Sequence, residues 1–228
     1  MSHEPGELVG RGRAADVFAL DDHRVLRRYR DGHECSSEAE AMRYLADRGY
    51  PVPEVFDASG PDIVMARLDG STMLTTLGRA PWRIAPMARL LAELQRQLNA
   101  IAPIDSMPTR FGHRDGVVHL DLHPDNVMLT REGPVVIDFS NVAAGPTNAD
   151  VAASWIIMAT STVPGSSVER AIGSLGRAWM VHSFLRGADR DDARAKLSEV
   201  GEWRKRDSHV SDLERRRIDR LVGAHGSR

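Results

Sequence analysis

Cysteine occurs once in the 228 residues, at Cys35, which excludes an internal disulfide and suits a reducing compartment. Lysine is almost as scarce. Only Lys196 and Lys205 occur, so no lysine precedes residue 196 and nearly all basic charge is arginine. No run approaches the roughly 18 apolar residues that a membrane helix requires. The opening Met-Ser-His-Glu-Pro-Gly-Glu has no basic or apolar signal region, which makes a cytoplasmic location the expectation. A net charge of -2 without a long basic run argues against nucleic acid as the main partner. Internal repeats and low-complexity stretches are also lacking. What is present is an ordinary 42% hydrophobic content, enough for one good-sized core or two small lobes.

The first 66 residues read as strands around one helix. Glu7 to Gly10, Ala15 to Leu20 and Arg24 to Tyr29 are short apolar-rich runs broken by Gly10, Gly12 and the Asp21-Asp22-His23 turn, which predicts a meander. Ala39, Met42, Leu45 and Ala46 recur at helical spacing within 36–48, with Ser36 or Ser37 as the cap and Gly49 as the stop. Pro51 and Pro53 follow, then two further strands at Val55 to Ala58 and Ile63 to Arg67. Beyond Gly70 the pattern turns helical. Ile84, Met87, Leu90, Leu91, Leu94, Leu98 and Ile101 form one stripe over 82–101, and 148–160, 168–185, 191–200 and 211–222 also read as helices. The expected organisation is an N-terminal lobe over 1–66, a hinge over 67–70 and a C-terminal lobe over 71–228.

The most informative stretch runs from Val118 to Asn141. Asp121 and Asn126 bracket a step in which Pro124 forbids regular ladder pairing, so both can project from one loop. Val127 to Thr130, a turn at Arg131 to Gly133 and Val135 to Ile137 predict a hairpin that returns Asp138 beside Asn126. Two carboxylates and an amide oxygen suit phosphoryl transfer, in which one aspartate takes or orients the acceptor proton while an asparagine and a second aspartate hold magnesium against nucleotide phosphates. His119, Asp121, His123, Pro124, Asn126 and the Ile137-Asp138-Phe139 triplet fall in register with His-x-Asp-x-x-x-x-Asn followed by Ile-Asp-Phe. In these residues the chain resembles the aminoglycoside phosphotransferase family of protein-kinase-like enzymes. The resemblance implies an α+β, two-lobed protein-kinase-like fold: a small antiparallel sheet with one helix, then a mainly helical lobe carrying the catalytic hairpin. It also implies Asp121 as the catalytic residue, Asn126 and Asp138 as ligands of Mg2+, and ATP, with GTP as an alternative, as the phosphoryl donor.

Gly10-Arg11-Gly12-Arg13-Ala14-Ala15-Asp16-Val17 matches the kinase glycine-rich pattern except that Ala15 replaces its third glycine. It is read as a phosphate loop, with a plain hairpin turn as the bland alternative. In Val25-Leu26-Arg27-Arg28-Tyr29, strand alternation puts Val25 against the adenine and Arg27 toward the phosphates, where kinases carry a lysine; Arg28 points away. Glu38 is the matching helix glutamate, expected to hold Arg27 in a two-pronged ion pair, with Glu40 as the fallback. The resemblance places the adenine edge against the backbone of Met65, Ala66 and Arg67. His119 and His123 are expected to steady the catalytic loop, and Asp150 to brace it from a helix start.

These residues imply transfer of a γ-phosphoryl group from ATP to a hydroxyl of a small molecule, metabolite or antibiotic. The alternative is a nucleotide-binding pseudokinase acting as a regulatory or partner-binding module, which the missing lysine favours and the full Asp121, Asn126 and Asp138 set opposes. A protein substrate fits less well, because only eleven residues separate Asp138 from Asp150, too few for an activation segment. The basic runs Trp203-Arg204-Lys205-Arg206 and Glu214-Arg215-Arg216-Arg217 disfavour a polycationic acceptor, although a solvated helix face explains them equally.

Overall fold

The computed structural model describes residues 4–12, 14–161 and 167–225, the side chains of 167–172 excepted. Arg13 of the glycine-rich loop lies outside the described residues. In chain order the elements are β1 (Leu8–Arg11), β2 (Ala15–Ala19), β3 (Arg24–Tyr29), α1 (Ser36–Ala46), β4 (Val55–Ser59), β5 (Asp62–Ala66) and β6 (Gly70–Thr72). There follow α2 (Met73–Arg79), α3 (Ile84–Asn99), β7 (Gly116–Val118), β8 (Val127–Thr130), β9 (Pro134–Val136), β10 (Ala143–Gly145), α4 (Thr147–Thr160), α5 (Ser167–Gly187), α6 (Arg190–Lys205) and α7 (Asp212–His225). The chain groups into two compact units, one of Met1–Ser71 with Met128–Val142 and one of Thr72–Val127 with Ala143–Arg228.

In the first unit, short apolar-rich strands build an antiparallel sheet in the order β1-β2-β3-β5-β4, in which Leu26 and the consecutive Ile63 and Val64 are buried, so both faces of the central strands are covered. Helix α1 buries Glu38, Ala39, Ala41, Met42 and Leu45, one stripe at helical spacing. Gly49 at φ 74 ends it as expected, in the left-handed conformation that glycine adopts without a Cβ penalty. The helix start differs from the expectation, because neither Ser36 nor Ser37 caps it. Cys35 occupies the N-cap without a side-chain cap bond, its thiol instead donating to the Asp62 carbonyl at 3.2 Å. The site is buried, which suits sulfur better than hydroxyl, and burial pushes the thiol up to about 11, leaving Cys35 protonated and inert. The segment Met128–Val142 joins this unit through the Val136 N–H, which donates to the Pro51 carbonyl at 2.8 Å, and through the edge-on packing of Phe139 on Tyr50.

The second unit is mainly helical. The stripe seen in the sequence buries Ile84, Met87, Leu91, Leu94 and Leu98 of α3. That helix starts at Ile84, later than the pattern indicated, since Pro81–Arg83 form a 3-10 turn. Pro86 is tolerated because a first-turn N–H has no intrahelical partner to lose. Helix α2 gave no sequence signal: Met73 is its one buried residue, so no stripe exists, and Thr72 supplies the start by accepting the Thr75 N–H at 3.1 Å. Helix α4 is apolar on nearly every side, burying Ala149, Ala152, Ala153, Trp155, Ile156 and Ile157. Among the described residues no helix is long and apolar enough to cross a membrane.

Strand β7 pairs antiparallel with β10 and carries the chain into the Asp121 loop. It passes so close to the end of α3 that a Cβ on Gly116 would lie 2.1 Å from the Asn99 carbonyl oxygen. Gly116→Ala should therefore lower stability by about 1–3 kcal/mol, the usual effect of overpacking. Gly223→Ala in α7, where a Cβ meets nothing within 4 Å, should be neutral or slightly stabilising. Thermal melts of the two variants check this, and equal midpoints would contradict it.

Candidate active site

In the first unit the polar centre is Arg27, on the inward face of β3 and only 8% exposed. Its Nη1 donates to Glu38 Oε1 at 2.5 Å and its Nη2 to Asp138 Oδ1 at 2.7 Å. The expected two-pronged pair with Glu38 is thus replaced by one prong to each carboxylate, because Glu38 Oε2 is taken by the Tyr29 hydroxyl at 2.5 Å. Burial acts against the charge on Arg27, but Glu38 and Asp138 outweigh it and raise the guanidinium pKa further. Tyr29 is likewise raised, by burial first and then by the Glu38 charge, so its hydroxyl remains a donor. Glu40 is exposed. Arg28 lies on the other strand face and binds Asp62 with two bonds, at 2.7 and 2.6 Å.

The remaining nucleotide-loop residues fall in the same unit. Gly10 ends near Val17 across the β1–β2 pair, and the Gly12 N–H donates to the Ala15 carbonyl at 2.8 Å, closing the turn. The Ala15 side chain packs inward with Tyr29, Cys35 and Ile63, which leaves only its backbone for any ligand. Val25 is buried and pairs with Met65. The N–H groups of Ala66 and Arg67 already donate to the Glu54 and His23 carbonyls at 2.9 and 2.7 Å. Among the described residues, the Leu68 and Asp69 N–H groups carry no such bond.

In the second unit, Asp150 holds the loop that carries Asp121. Fully buried at the start of α4, its Oδ1 accepts the N–H groups of His119 at 3.0 Å and Leu120 at 2.7 Å. Its Oδ2 accepts from Asn99 of α3 at 2.8 Å. This grip fixes Leu120 at φ 61, a left-handed conformation that costs a branched residue about 1–2 kcal/mol. The buried His119 accepts the Asp121 N–H on Nδ1 at 3.3 Å, and His123 caps the 3-10 turn Pro124–Asn126. Both histidines thus support the backbone, as expected from the sequence.

The Asp121 carboxylate is held from two sides. Arg204 Nη1 donates to Oδ1 at 2.9 Å and Asn126 Nδ2 to Oδ2 at 3.2 Å, with His123 Nε2 3.7 Å from Oδ2. Burial alone would raise the Asp121 pKa, but His123 and the Arg204 charge prevail and bring it down from 3.8 to about 2. The amide oxygen of Asn126 stays unused, since Nδ2 makes the bonds to the Asp121 carboxylate and carbonyl. Arg204 was missed in the sequence, where it sat in a run read as a solvated face; it is in fact 8% exposed. Helix phase carries the missing signal: Leu197, Val200, Gly201 and Arg204 share the buried side of α6.

Because Arg27 joins two carboxylates in a buried position, Arg27→Ala should destabilise the fold by roughly 3–5 kcal/mol, the effect of leaving buried charge unpaired. Arg28→Ala removes a partly exposed pair and should cost no more than about 1 kcal/mol. Urea denaturation of both variants distinguishes them, and a larger effect at Arg28 would reverse the assignment.

The model of the phosphotransferase enzyme family matches residues 6–115 and 80–185. A "probable serine/threonine-protein kinase" of Streptomyces coelicolor is 31% identical over 161 residues, which is 60% of this chain and 22% of the relative. The chain thus spans about a fifth of that relative's length. Among solved structures, an ADP-bound aminoglycoside phosphotransferase superposes with a TM-score of 0.57 at 13% identity, covering 96% of this chain and 93% of that one. A choline/ethanolamine kinase family protein from Mesorhizobium loti gives 0.56 at 14% identity, covering 96% and 88%. At these identities the structures show the fold, which is α+β and protein-kinase-like, while the match along most of the sequence shows the family: the chain belongs to the phosphotransferase enzyme family.

Proposed function

We propose that the chain transfers the γ-phosphoryl group of ATP, or of GTP, to a hydroxyl of a small molecule in the cytoplasm. The observation that carries this reading is the condition of Asp121: ionised, held on separate oxygens by Arg204 and Asn126, and set on a turn that Asp150 fixes. Phosphoryl transfer passes through a loose transition state, so catalysis is mainly positioning and charge stabilisation. A carboxylate with a pKa near 2 is a weak base, suited to orienting an acceptor O–H and taking its proton late. Asp121 is therefore assigned to the acceptor.

Arg27 is assigned to the nucleotide phosphates, with Glu38 keeping its guanidinium in place and the Gly10, Gly12 and Ala15 turn, closed by the Gly12 N–H, presenting its backbone to them. Val25 and Met65 are assigned to the adenine. The committed N–H groups of Ala66 and Arg67 leave the carbonyls of this stretch, with the Leu68 and Asp69 N–H groups, to read the adenine edge. Magnesium suits the available donors, because Asn126 keeps its amide oxygen and Asp138 one carboxylate oxygen, both hard ligands. When bound, magnesium would neutralise phosphate charge.

A small acceptor is favoured over a protein because the chain between Asp138 and α4 is short and holds β10, with no room for an activation segment. The named Streptomyces relative favours a protein acceptor as the second reading. Arginine at position 27 is the feature that favours a pseudokinase. A magnesium-ATP turnover screen over hydroxylated metabolites, antibiotics and protein substrates separates the three.

Magnesium nucleotide at ~100 times its dissociation constant should stabilise the fold by about 2.7 kcal/mol. Asp121→Asn should abolish turnover with nucleotide binding nearly intact, whereas Asp138→Asn should damage both; calorimetry beside the turnover assay checks the pair. An unchanged melt with millimolar magnesium nucleotide sinks both the kinase and pseudokinase readings.

A pH effect follows from the lowered Asp121 pKa. A carboxylate whose folded value lies below its unfolded one adds stability that is fully present above 3.8 and is lost as pH falls through about 2. Arg204→Gln should move this loss to higher pH, visible in acid titration of the fold, and an identical acid transition would show that Arg204 does not set the charge state of Asp121.

A further inference from the structure

The helices of the second unit line a solvent-open pocket of about 360 Å³ that shares no lining residue with the surroundings of Asp121. Its cationic lining is Arg177 and Arg186 from α5 and Arg190 from the start of α6, beside the imidazoles of His182 and His225, without a carboxylate among the described lining residues. That is an unusual concentration in a chain of net charge -2. The end of α4 explains one member, since Arg177 donates to the Ser161 carbonyl at 2.6 Å and a helix C-terminus favours cations. Even there, burial and the nearby Arg217 charge push the Arg177 pKa down. Arg186 and Arg190 are exposed and have no carboxylate partner among the described residues. Arg190 lies 5.7 Å over the Trp155 ring, which leaves its N–H groups available.

Like charges gathered without a counterion repel one another, and an anion offsets that repulsion. The guanidinium fork matches the oxygens of a phosphate, and several forks exceed what one carboxylate can satisfy. Val181, Leu185 and Leu221 add an apolar wall beside the charges. The volume lies low in the range of about 300–1,000 Å³ typical of ligand sites, which limits the occupant to a phosphate with a small body. We propose that this pocket binds a phosphate monoester carrying a small apolar group, independently of the Asp121 site.

Phenyl phosphate is a suitable probe, titrated calorimetrically into the full chain without nucleotide, beside inorganic phosphate and phenylacetate. It should bind about tenfold more tightly than either, because only it supplies both the dianion and the apolar body. Arg186→Gln/Arg190→Gln should lose about tenfold in affinity, while Arg43→Gln/Arg131→Gln, an equal charge change at exposed sites of the first unit, should lose little. Asp121→Asn should bind the probe normally, which separates this site from the catalytic reading. Should the α6 start be disturbed, Arg186→Glu alone provides the second variant, and it should also lose the probe. Absence of binding at millimolar phenyl phosphate, or equal loss in both double variants, would overturn the proposal.

Discussion

The carboxylate of Asp150 is the contact on which the Asp121 loop depends. A leucine does not hold φ 61 unaided, and a buried backbone N–H needs an acceptor. One oxygen of Asp150 meets both needs by taking the N–H groups of His119 and Leu120, while the other is tied through Asn99 to α3. Asn99 also donates to the Val117 carbonyl at 2.9 Å, so the end of α3, the start of α4 and the strand leading into the loop are fastened at one place. Leu120 and Leu122 then anchor the loop in the core, and Asp121 between them turns to Arg204 and Asn126. The position of Asp121 is a consequence of packing and of one buried carboxylate.

The first unit solves a similar problem with opposite charge. Asp138 is itself left-handed, at φ 65, and its carboxylate is tied to Arg27. A lysine would be a single point charge, whereas the guanidinium reaches Glu38 and Asp138 with different nitrogens. Arginine here thus differs from a lysine in more than side-chain length, since one residue is responsible for both carboxylates. Glu38 on α1 thereby has a buried cationic partner in a chain with only two lysines.

Much of this was legible in the sequence, for definite reasons. Period-two alternation separated Arg27 from Arg28, and the two take different partners, Glu38 with Asp138 for one and Asp62 for the other, although Val25, Leu26 and Arg27 are all buried and both faces of β3 are covered there. The stripe on α3 and the glycine stop of α1 were equally plain. What could not be read depended on tertiary surroundings. Cys35 displaced serine from the α1 cap because that position is buried against Asp62, and α2 has no apolar stripe to announce it. Arg204 is the instructive miss: a cluster of basic residues resembles a solvated face, and only the phase of α6 turns Arg204 inward with Leu197 and Val200. The exchange of partners around Arg27 was hidden because it involves residues more than a hundred positions apart in sequence.

On the proposed reading, the Asp121 loop directs a phosphoryl group to a hydroxyl. Phosphorus-31 magnetic resonance of magnesium-ATP incubated with the protein and pooled hydroxylated small molecules tests it most directly, because the product reports its own bond. The account predicts a new phosphomonoester resonance that grows with ADP and is missing with Asp121→Asn. Release of inorganic phosphate alone, or an ester formed equally well by the variant, would contradict it.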